Sequence, residues 1–182
     1  MEKELEVKVL GVDVNLIEEK ILELGGVLLS NEEQVNTLID SQKRPIKSYL
    51  DAYLRIRETK DLLNGSENIE LTLKKNIKNK ELRENEELNV LVESKDTLLE
   101  IFKSLGFNNI SRGFKHRKSY RLEDARIDID TWDKDTYPYP YIEIEVKNQE
   151  QLNNIISILG IDKKNISTQS IVELKEELKK IR

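Results

Sequence analysis

The sequence predicts an α+β fold in which an antiparallel sheet of eight strands carries helices on its apolar side. Two observations carry that expectation. Eight segments alternate apolar and polar residues with a period of two, as half-buried strands do, and several others space their apolar residues for a helix and then meet a glycine. The strand-then-helix unit also returns along the chain, as a duplicated β-α-β half would.

Residues 2–9 form the first strand: Glu2, Glu4, Glu6 and Lys8 fall on one face and Lys3, Leu5, Val7 and Val9 on the other. Asp13 is placed to cap a helix carrying Val14, Ile17, Ile21, Leu22 and Leu24, which stops at Gly25 and Gly26. Strands are expected at 34–40, at 52–58, where Arg55 and Arg57 share a face, and at 69–75, where Glu70, Thr72 and Lys74 do. Asn64-Gly65 marks the turn between the last two. The second unit is a strand at 87–92 and a helix at 95–105 that stops at Gly106; Glu6 precedes Gly25, and Glu87 precedes Gly106, by the same nineteen positions. Strands follow at 115–122 and at 126–132, the latter with Asp128 and Asp130 on one face. A looser third unit has a strand at 141–146 and a helix at 150–159, with Gly160 as its stop. The tail, 170–182, reads as an amphipathic helix with Ile171, Leu174, Leu178 and Ile181.

The polar faces sort by sign. Glu4, Glu6, Glu87, Asp128, Asp130, Glu143 and Glu145 are acidic, while Arg55, Arg57, Lys74, Lys115 and Arg117 are basic. An open sheet with one wet face also alternates. An ordinary wet face, however, mixes Thr, Ser, Gln and Lys instead of repeating acid-x-acid on some strands and Arg-x-Arg on another. A closed barrel turns such faces inward, where charges must pair or hold a charged ligand. A metal-bound polyanion satisfies both sets: Arg forks and Lys point charges take phosphate oxygens, and carboxylates take a hard cation.

Composition narrows the classes further. With 182 residues the chain fits one domain spanning 1–182. It has no cysteine and one histidine, which excludes disulfides and disfavours zinc, so the expected ion is Mg²⁺ or Mn²⁺. A net charge of −5 argues against stable nucleic-acid binding. No apolar run approaches the roughly 20 residues that span a bilayer, and the first residues do not read as a signal peptide, so a cytoplasmic protein without membrane contact is expected. Apolar helix positions serve a core or a dimer face equally, which leaves a homodimer open. His116 lies between Lys115 and Arg117 and should face away from them; Trp132, Tyr137, Tyr139 and Tyr141 are expected to close a barrel mouth or pack on a helix, and Glu18, Glu19, Lys175 and Glu176 to form solvated helix faces.

Glu4-Leu5-Glu6-Val7-Lys8 is an E-x-E-x-K block, and it is followed in order by Leu54-Arg55-Ile56-Arg57-Glu58, Leu71-Thr72-Leu73-Lys74, the segment around Arg83 and Glu87, Lys115-x-Arg117, Ile129-Asp130-Thr131-Trp132 and Glu143-Ile144-Glu145. Over residues 2 to about 170 this chain resembles the CYTH family, which includes class IV adenylate cyclases, thiamine triphosphatases and inorganic tripolyphosphatases. The resemblance implies an eight-stranded antiparallel β-barrel, a triphosphate tunnel with helices packed outside. By that likeness Glu4, Glu6, Glu143 and Glu145, with Asp130 and Glu87, are the metal-side carboxylates. Lys8, Arg55, Arg57, Lys74, Arg83 and Arg117 grip phosphates, and Lys8, Arg57, Lys74 and Lys115 are the catalytic set. Two departures stand out: the family's Arg-x-Glu-x-Glu reads here Arg83-Glu84-Asn85-Glu86-Glu87, so Asn85 replaces an acid, and Val146 stands where many members have Gly. Another register would turn Glu84 and Glu86 inward; the nineteen-residue spacing favours Glu87.

The expected activity is metal-dependent hydrolysis of a triphosphate: inorganic tripolyphosphate, thiamine triphosphate or a nucleoside triphosphate. The alternatives are an adenylate cyclase releasing pyrophosphate, a non-catalytic polyphosphate sensor to which Asn85 points, and a plain structural domain with a wet sheet.

Overall fold

The computed structural model describes the backbone of residues 2–77 and 83–181 and the side chains of 5–77 and 84–180. Eight strands close into a barrel: β1 (Glu2–Val9), β2 (Val27–Asp40), β3 (Ala52–Asp61), β4 (Glu67–Ile77), β5 (Arg83–Leu91), β6 (Asn109–Leu122), β7 (Ala125–Trp132) and β8 (Tyr141–Val146). Their order around the barrel is β5-β4-β3-β2-β6-β7-β8-β1, and β1 pairs back onto β5, so no long edge is left open. Every neighbouring pair is antiparallel. A short β9 (Ile166–Ser167) adds to β1 at Lys8 and Val9. The closed barrel, not the open wet sheet, is the architecture.

Four helices complete the fold: α1 (Val14–Glu23), α2 (Lys95–Ser104), α3 (Gln149–Leu159) and α4 (Ile171–Ile181). Each starts where a side chain accepts the first free amides. Asp13 accepts from Asn15 and Leu16, Ser94 from Thr97 and Asn148 from Gln151. At α4 the cap is reciprocal: Ser170 Oγ accepts from the Glu173 amide at 3.2 Å while Glu173 Oε2 accepts from the Ser170 amide at 2.7 Å. Ser170 therefore caps the last helix, whereas Ser167 bonds Gln169. α3 ends at Gly160, whose φ of +65° is the left-handed conformation that a residue with a Cβ resists.

Because the charged faces point inward, the hydrophobic core lies outside the barrel, between strands and helices, in two patches, with a smaller third of Tyr137, Tyr141 and Leu174 under α4. α1 and α3 cover one, where Ile21, Ile155 and Leu159 meet Val7, Val9, Ile127, Ile142 and Ile144. α2 covers the other, setting Leu99 and Phe102 against Ile39 and Ile56. The alternation read from the sequence thus separates two environments, apolar under helices and ionic within the barrel. Among the described residues no helix is long and apolar enough to cross a membrane.

Two strands are longer than expected. β2 begins at Val27 and β6 at Asn109, and their ladder runs from Val27↔Arg121 to Asp40↔Asn109 with an irregularity near Leu28 and Ser30. Residues 27–33 carry no clean alternation because Val27, Leu28 and Leu29 lie beyond the helical cover and stay partly exposed. The pairing of β2 with β6 joins the two halves, and backbone hydrogen bonds, which leave no side-chain pattern, extend it.

Ile144 is fully buried in the larger patch and Leu16 is 61% exposed. Ile144→Ala is expected to lower the free energy of unfolding in urea by about 2–5 kcal/mol, and Leu16→Ala to change it by about 0.5 kcal/mol or less.

Candidate functional site

Strand register places the inward side chains in rows. Glu6 on β1, Glu145 on β8 and Arg126 on β7 form one row. Lys8, Glu143 and Asp128 form the next, and Tyr141, Asp130 and Arg117 a third. On the other wall Gln34, Asn36, Arg55, Arg57, Thr72, Lys74 and Glu87 point inward from β2 to β5. With eight strands, β3 stands four strands from β8 in either direction, so Arg55 and Arg57 face Glu143 and Glu145 across the lumen. All of these but Gln34, Thr72 and Asp130 line a cavity of about 530 Å³. The expected gathering of opposite charges around one enclosed space is what the structure shows.

Most of the acids are already neutralised by neighbours. Arg117 is the hub: it contacts Asp128 at 2.6 Å, Asp130 at 2.6 Å and Glu143 at 2.5 Å. Lys115 reaches Asp130 at 3.1 Å, and Lys8 reaches Glu143 at 2.8 Å. Lys74 binds Glu87 at 2.6 Å and stands 3.7 Å from Glu6. Burial alone would raise the Asp130 carboxyl, but Arg117 and Lys115 outweigh it and hold it below its usual range. Glu143 is likewise held well below, because Lys8 and Arg117 overcome its burial. Burial would lower the Arg117 guanidinium, and its carboxylates instead raise it.

The bases of β3 are arranged differently. Arg55 is buried, its Nε has no partner, and an NH2 donates to Thr72 Oγ1 at 3.4 Å. Arg57 Nε donates to Asn36 Oδ1 at 3.2 Å, and Asn36 Nδ2 is buried without an acceptor. Neither arginine makes an ion pair among the described residues. Burial, with Arg55 and Arg117 nearby, lowers Arg57 to about 10. Burial and the charge of Arg117 lower Lys115 to about 7 despite Asp130, and its ammonium lies 5.3 Å from the centre of the Trp132 ring.

Of the residues singled out in the sequence, Glu6, Lys8, Arg55, Arg57, Lys74, Glu87, Lys115, Arg117, Glu143 and Glu145 line the cavity. Asp130 is wholly buried behind Arg117 and Lys115. The side chains of Glu4 and Arg83 lie outside the described ones. Asn85 is fully buried and donates to Glu6 Oε1 at 3.1 Å, so the register that turns Glu87 inward is the observed one; Glu86 points away and pairs with Lys75. His116 faces outward and bonds Asn31 Oδ1 at 2.6 Å. Trp132 Nε1 donates to the Tyr141 hydroxyl at 2.9 Å, and Tyr137 and Tyr141 pack against α4, the bland role expected of them. Asp128, read in the sequence as an acid on the polar face but given no role, lines the cavity and pairs at 2.9 Å with Arg126, which sequence reasoning passed over along with Arg112, Lys175 and Lys179. For Asp128 and Arg126, parity with Asp130 was the available signal.

The donor set suits a hard divalent ion, since it is all oxygen. Glu145 is the acid whose carboxyl is raised, by burial and by the charges of Asp128 and Glu6, against the pull of Arg126. A carboxylate destabilised by like charges gains most from a cation beside it. Glu6 and Glu145 stand opposite one another on β1 and β8, and both line the cavity with carboxylate oxygens of the kind that such an ion takes. Among the described residues no three acids are gathered closely enough to hold one alone, so ligand oxygens would complete the shell.

An antiparallel barrel with an inward-facing ionic lumen is the architecture to be compared with known proteins. Residues 2–171 match the CYTH domain model, and the chain belongs to the CYTH family. It is 29% identical over 178 residues to a Methanocaldococcus jannaschii protein provisionally named an adenylate cyclase, a match covering 94% of this chain and 98% of that one. The solved structure of the PH1819 protein from Pyrococcus horikoshii superposes with a TM-score of 0.78 at 26% identity, covering 96% and 98% of the two chains. A Hippeastrum protein, described as an adenylyl cyclase candidate with a dominant triphosphatase activity, shares the fold with a TM-score of 0.65 at 15% identity, covering 97% and 96%.

The ion pairs set an acid limit on stability. Burial raises the Glu87 carboxyl, but Lys74 and Arg55 dominate and bring it down to about 2 from 4.5. A group whose folded pKa is depressed stabilises the fold above its unfolded value and loses that contribution as pH falls through the folded one. Chemical denaturation is therefore expected to show stability declining from about pH 4.5 toward pH 2, and Glu87→Gln to flatten that part of the profile.

Proposed function

We propose that this protein is a divalent-metal-dependent triphosphatase that binds its substrate inside the barrel. One observation carries the reading: two arginines, the buried Arg55 and the half-buried Arg57, face the cavity without an ion pair among the described residues, while Glu143 on the opposite wall is held by Lys8 and Arg117. A buried guanidinium without a counter-charge is costly, and a phosphate chain is the ligand that its planar fork fits. The family match supports a triphosphate in that place, and the triphosphatase activity described for the Hippeastrum protein supports hydrolysis.

In this reading Arg55, Arg57 and Arg117 orient the phosphate chain. Lys8, Lys74 and Lys115 stand around the reacting phosphoryl group and stabilise charge on its equatorial and leaving oxygens. Glu6, Glu143 and Glu145, with Glu87 and Asp130 behind them, form the acid side; the resemblance to the family adds Glu4 to the acids and Arg83 to the bases. A bound divalent ion supplies Lewis-acid polarisation of phosphoryl oxygens. Water adds to the terminal phosphorus, the bridging P–O bond breaks, and orthophosphate, the shortened diphosphate and a proton are released. The lumen excludes bulk water, so each charge acts in a medium of low polarity.

A second reading is adenylate cyclase chemistry, favoured by the name of the 29%-identical archaeal relative. There the ribose hydroxyl attacks the α-phosphorus and pyrophosphate leaves.

Phosphorus NMR of pure protein with tripolyphosphate, thiamine triphosphate or ATP, each with Mg²⁺ or Mn²⁺, tests both. Orthophosphate is expected, and chelation by EDTA should abolish its release. Cyclic AMP with pyrophosphate from ATP would replace the hydrolase reading by the cyclase one. Binding of every triphosphate without turnover would leave a sensor. Arg57→Ala is expected to lower kcat/KM by about a hundredfold or more, the scale of a lost charge-stabilising donor in the transition state.

A further inference from the structure

Asn36, on β2, is a neutral amide among the charges of the lumen. It is 4% exposed, lines the central cavity and stands opposite Arg57 in the β2–β3 ladder. Arg57 Nε donates to its Oδ1 at 3.2 Å. An arginine offers only donors, so this bond fixes which end of the amide meets Arg57 and directs Nδ2, with its two protons, elsewhere. Nδ2 is buried and finds no acceptor.

Its neighbours do not supply one. Across the β2–β6 ladder Asn36 meets Gly113, which has no side chain, and the space that a Cβ there would take is filled by Thr136 and Trp132. Along β2 the residues on the same face are Gln34 and Leu38. The side chain of Leu38 has no acceptor. Gln34 Oε1 is one, but it too is buried without a partner, while Gln34 Nε2 is turned to Glu32. A buried donor left in this state has lost its water and gained nothing in exchange. Arg55 Nε, on the same wall, is a second donor in that condition. Orphaned donors in one cavity wall complement a ligand rich in acceptors, as a phosphate chain is.

We propose that Asn36 is a substrate-binding residue whose Nδ2 donates to a phosphoryl oxygen of the ligand held by Arg57; this rests on the triphosphate reading of the cavity. The amide serves both sides at once. Oδ1 holds the guanidinium of Arg57, and Nδ2 takes a ligand oxygen, so arginine and ligand are gripped by the two ends of one planar group. A carboxylate at this position would perform the first task and defeat the second, since it offers no proton and sets its own charge against the phosphate. A ligand presenting an ammonium group there would leave Nδ2 unsatisfied, so the residue also selects for an acceptor.

The test is calorimetric titration of the full chain with tripolyphosphate and Mg²⁺, in the wild type, N36A, N36D, R57K and N36A/R57K, with thermal unfolding followed in parallel. N36A is expected to bind about tenfold more weakly, the scale of a hydrogen bond to a charged group. N36D is expected to bind about a hundredfold more weakly or worse, although its carboxylate pairs with Arg57 and its melting temperature does not fall. R57K keeps the positive charge, and removing the amide from that background is expected to cost about the same tenfold, because Nδ2 acts on the ligand directly. If N36A binds as tightly as wild type, or if its loss disappears in the R57K background, Asn36 only supports Gln34 or Arg57, and the proposal is overturned while the triphosphate reading stands. If wild-type protein binds no tripolyphosphate, both fall.

Discussion

A charge enclosed by a β-barrel must find its counter-charge within the same barrel, and this constraint orders the rest of the molecule. Water cannot screen Asp130, which has no exposed surface, so Arg117 and Lys115 must. The geometry that achieves this is lateral. Arg117 on β6 reaches across one strand to Asp128 and Asp130 and across two to Glu143, tying three strands by side chains as well as by the ladder. Lys74 does the same between β4 and β5. The ion pairs therefore fix the relative heights of strands, and through them the height at which each remaining group meets a ligand.

Turning the ionic faces inward also decides where stability comes from. The barrel has no apolar centre, so its core is split into the patch under α1 and α3 and the patch under α2. A chain that is only 37% hydrophobic can fold this way because each strand supplies just its outward residues to the core. The helices are therefore structural necessities: without them Val7, Ile127 and Ile144 would face water. α4 differs from the other three, because its apolar side meets the aromatic residues at the barrel end and its lysines meet the cavity.

Much of this was legible in the sequence because charge and alternation coincide. Glu6 and Lys8, Arg55 and Arg57, and Glu143 and Glu145 each occupy i and i+2, and period two is enough to place such pairs on one face. The nineteen-residue spacing that aligned Glu87 with Glu6 chose the register in which Asn85 and Glu87 point inward. What escaped was whatever alternation does not encode. The first residues of β2 pair with the end of β6, and those of β6 with the end of β2, through backbone, so Val27 and Asn109 left no signal. Asp128 and Arg126 share parity with Asp130, but parity cannot say which of three inward residues opens onto the cavity and which is sealed behind an arginine. Lys175 and Lys179 sit on a helix whose amphipathic pattern gives one apolar stripe and leaves the direction of its polar flank to tertiary packing.

The neighbours of Arg55 and Arg57 explain how a site can stay charged inside such a well-neutralised barrel. Thr72 Oγ1 and Asn36 Oδ1 accept from them, which orients the guanidinium planes while leaving their charge in place. A carboxylate at either position would have formed a closed pair like that of Arg117 and Asp130, and a ligand would then have had to displace it. Neutral acceptors leave these guanidinium groups without a counter-charge, and burial, with Arg55 and Arg117 nearby, lowers Arg57 to about 10. An anion beside these guanidinium groups would relieve that cost. The selectivity follows from the same arrangement: a ligand must present oxygens to Arg55 and Arg57 on one wall and tolerate the acids of β8 on the other. A phosphate chain whose far side is covered by a hard cation meets both conditions, and a bare dianion meets only the first.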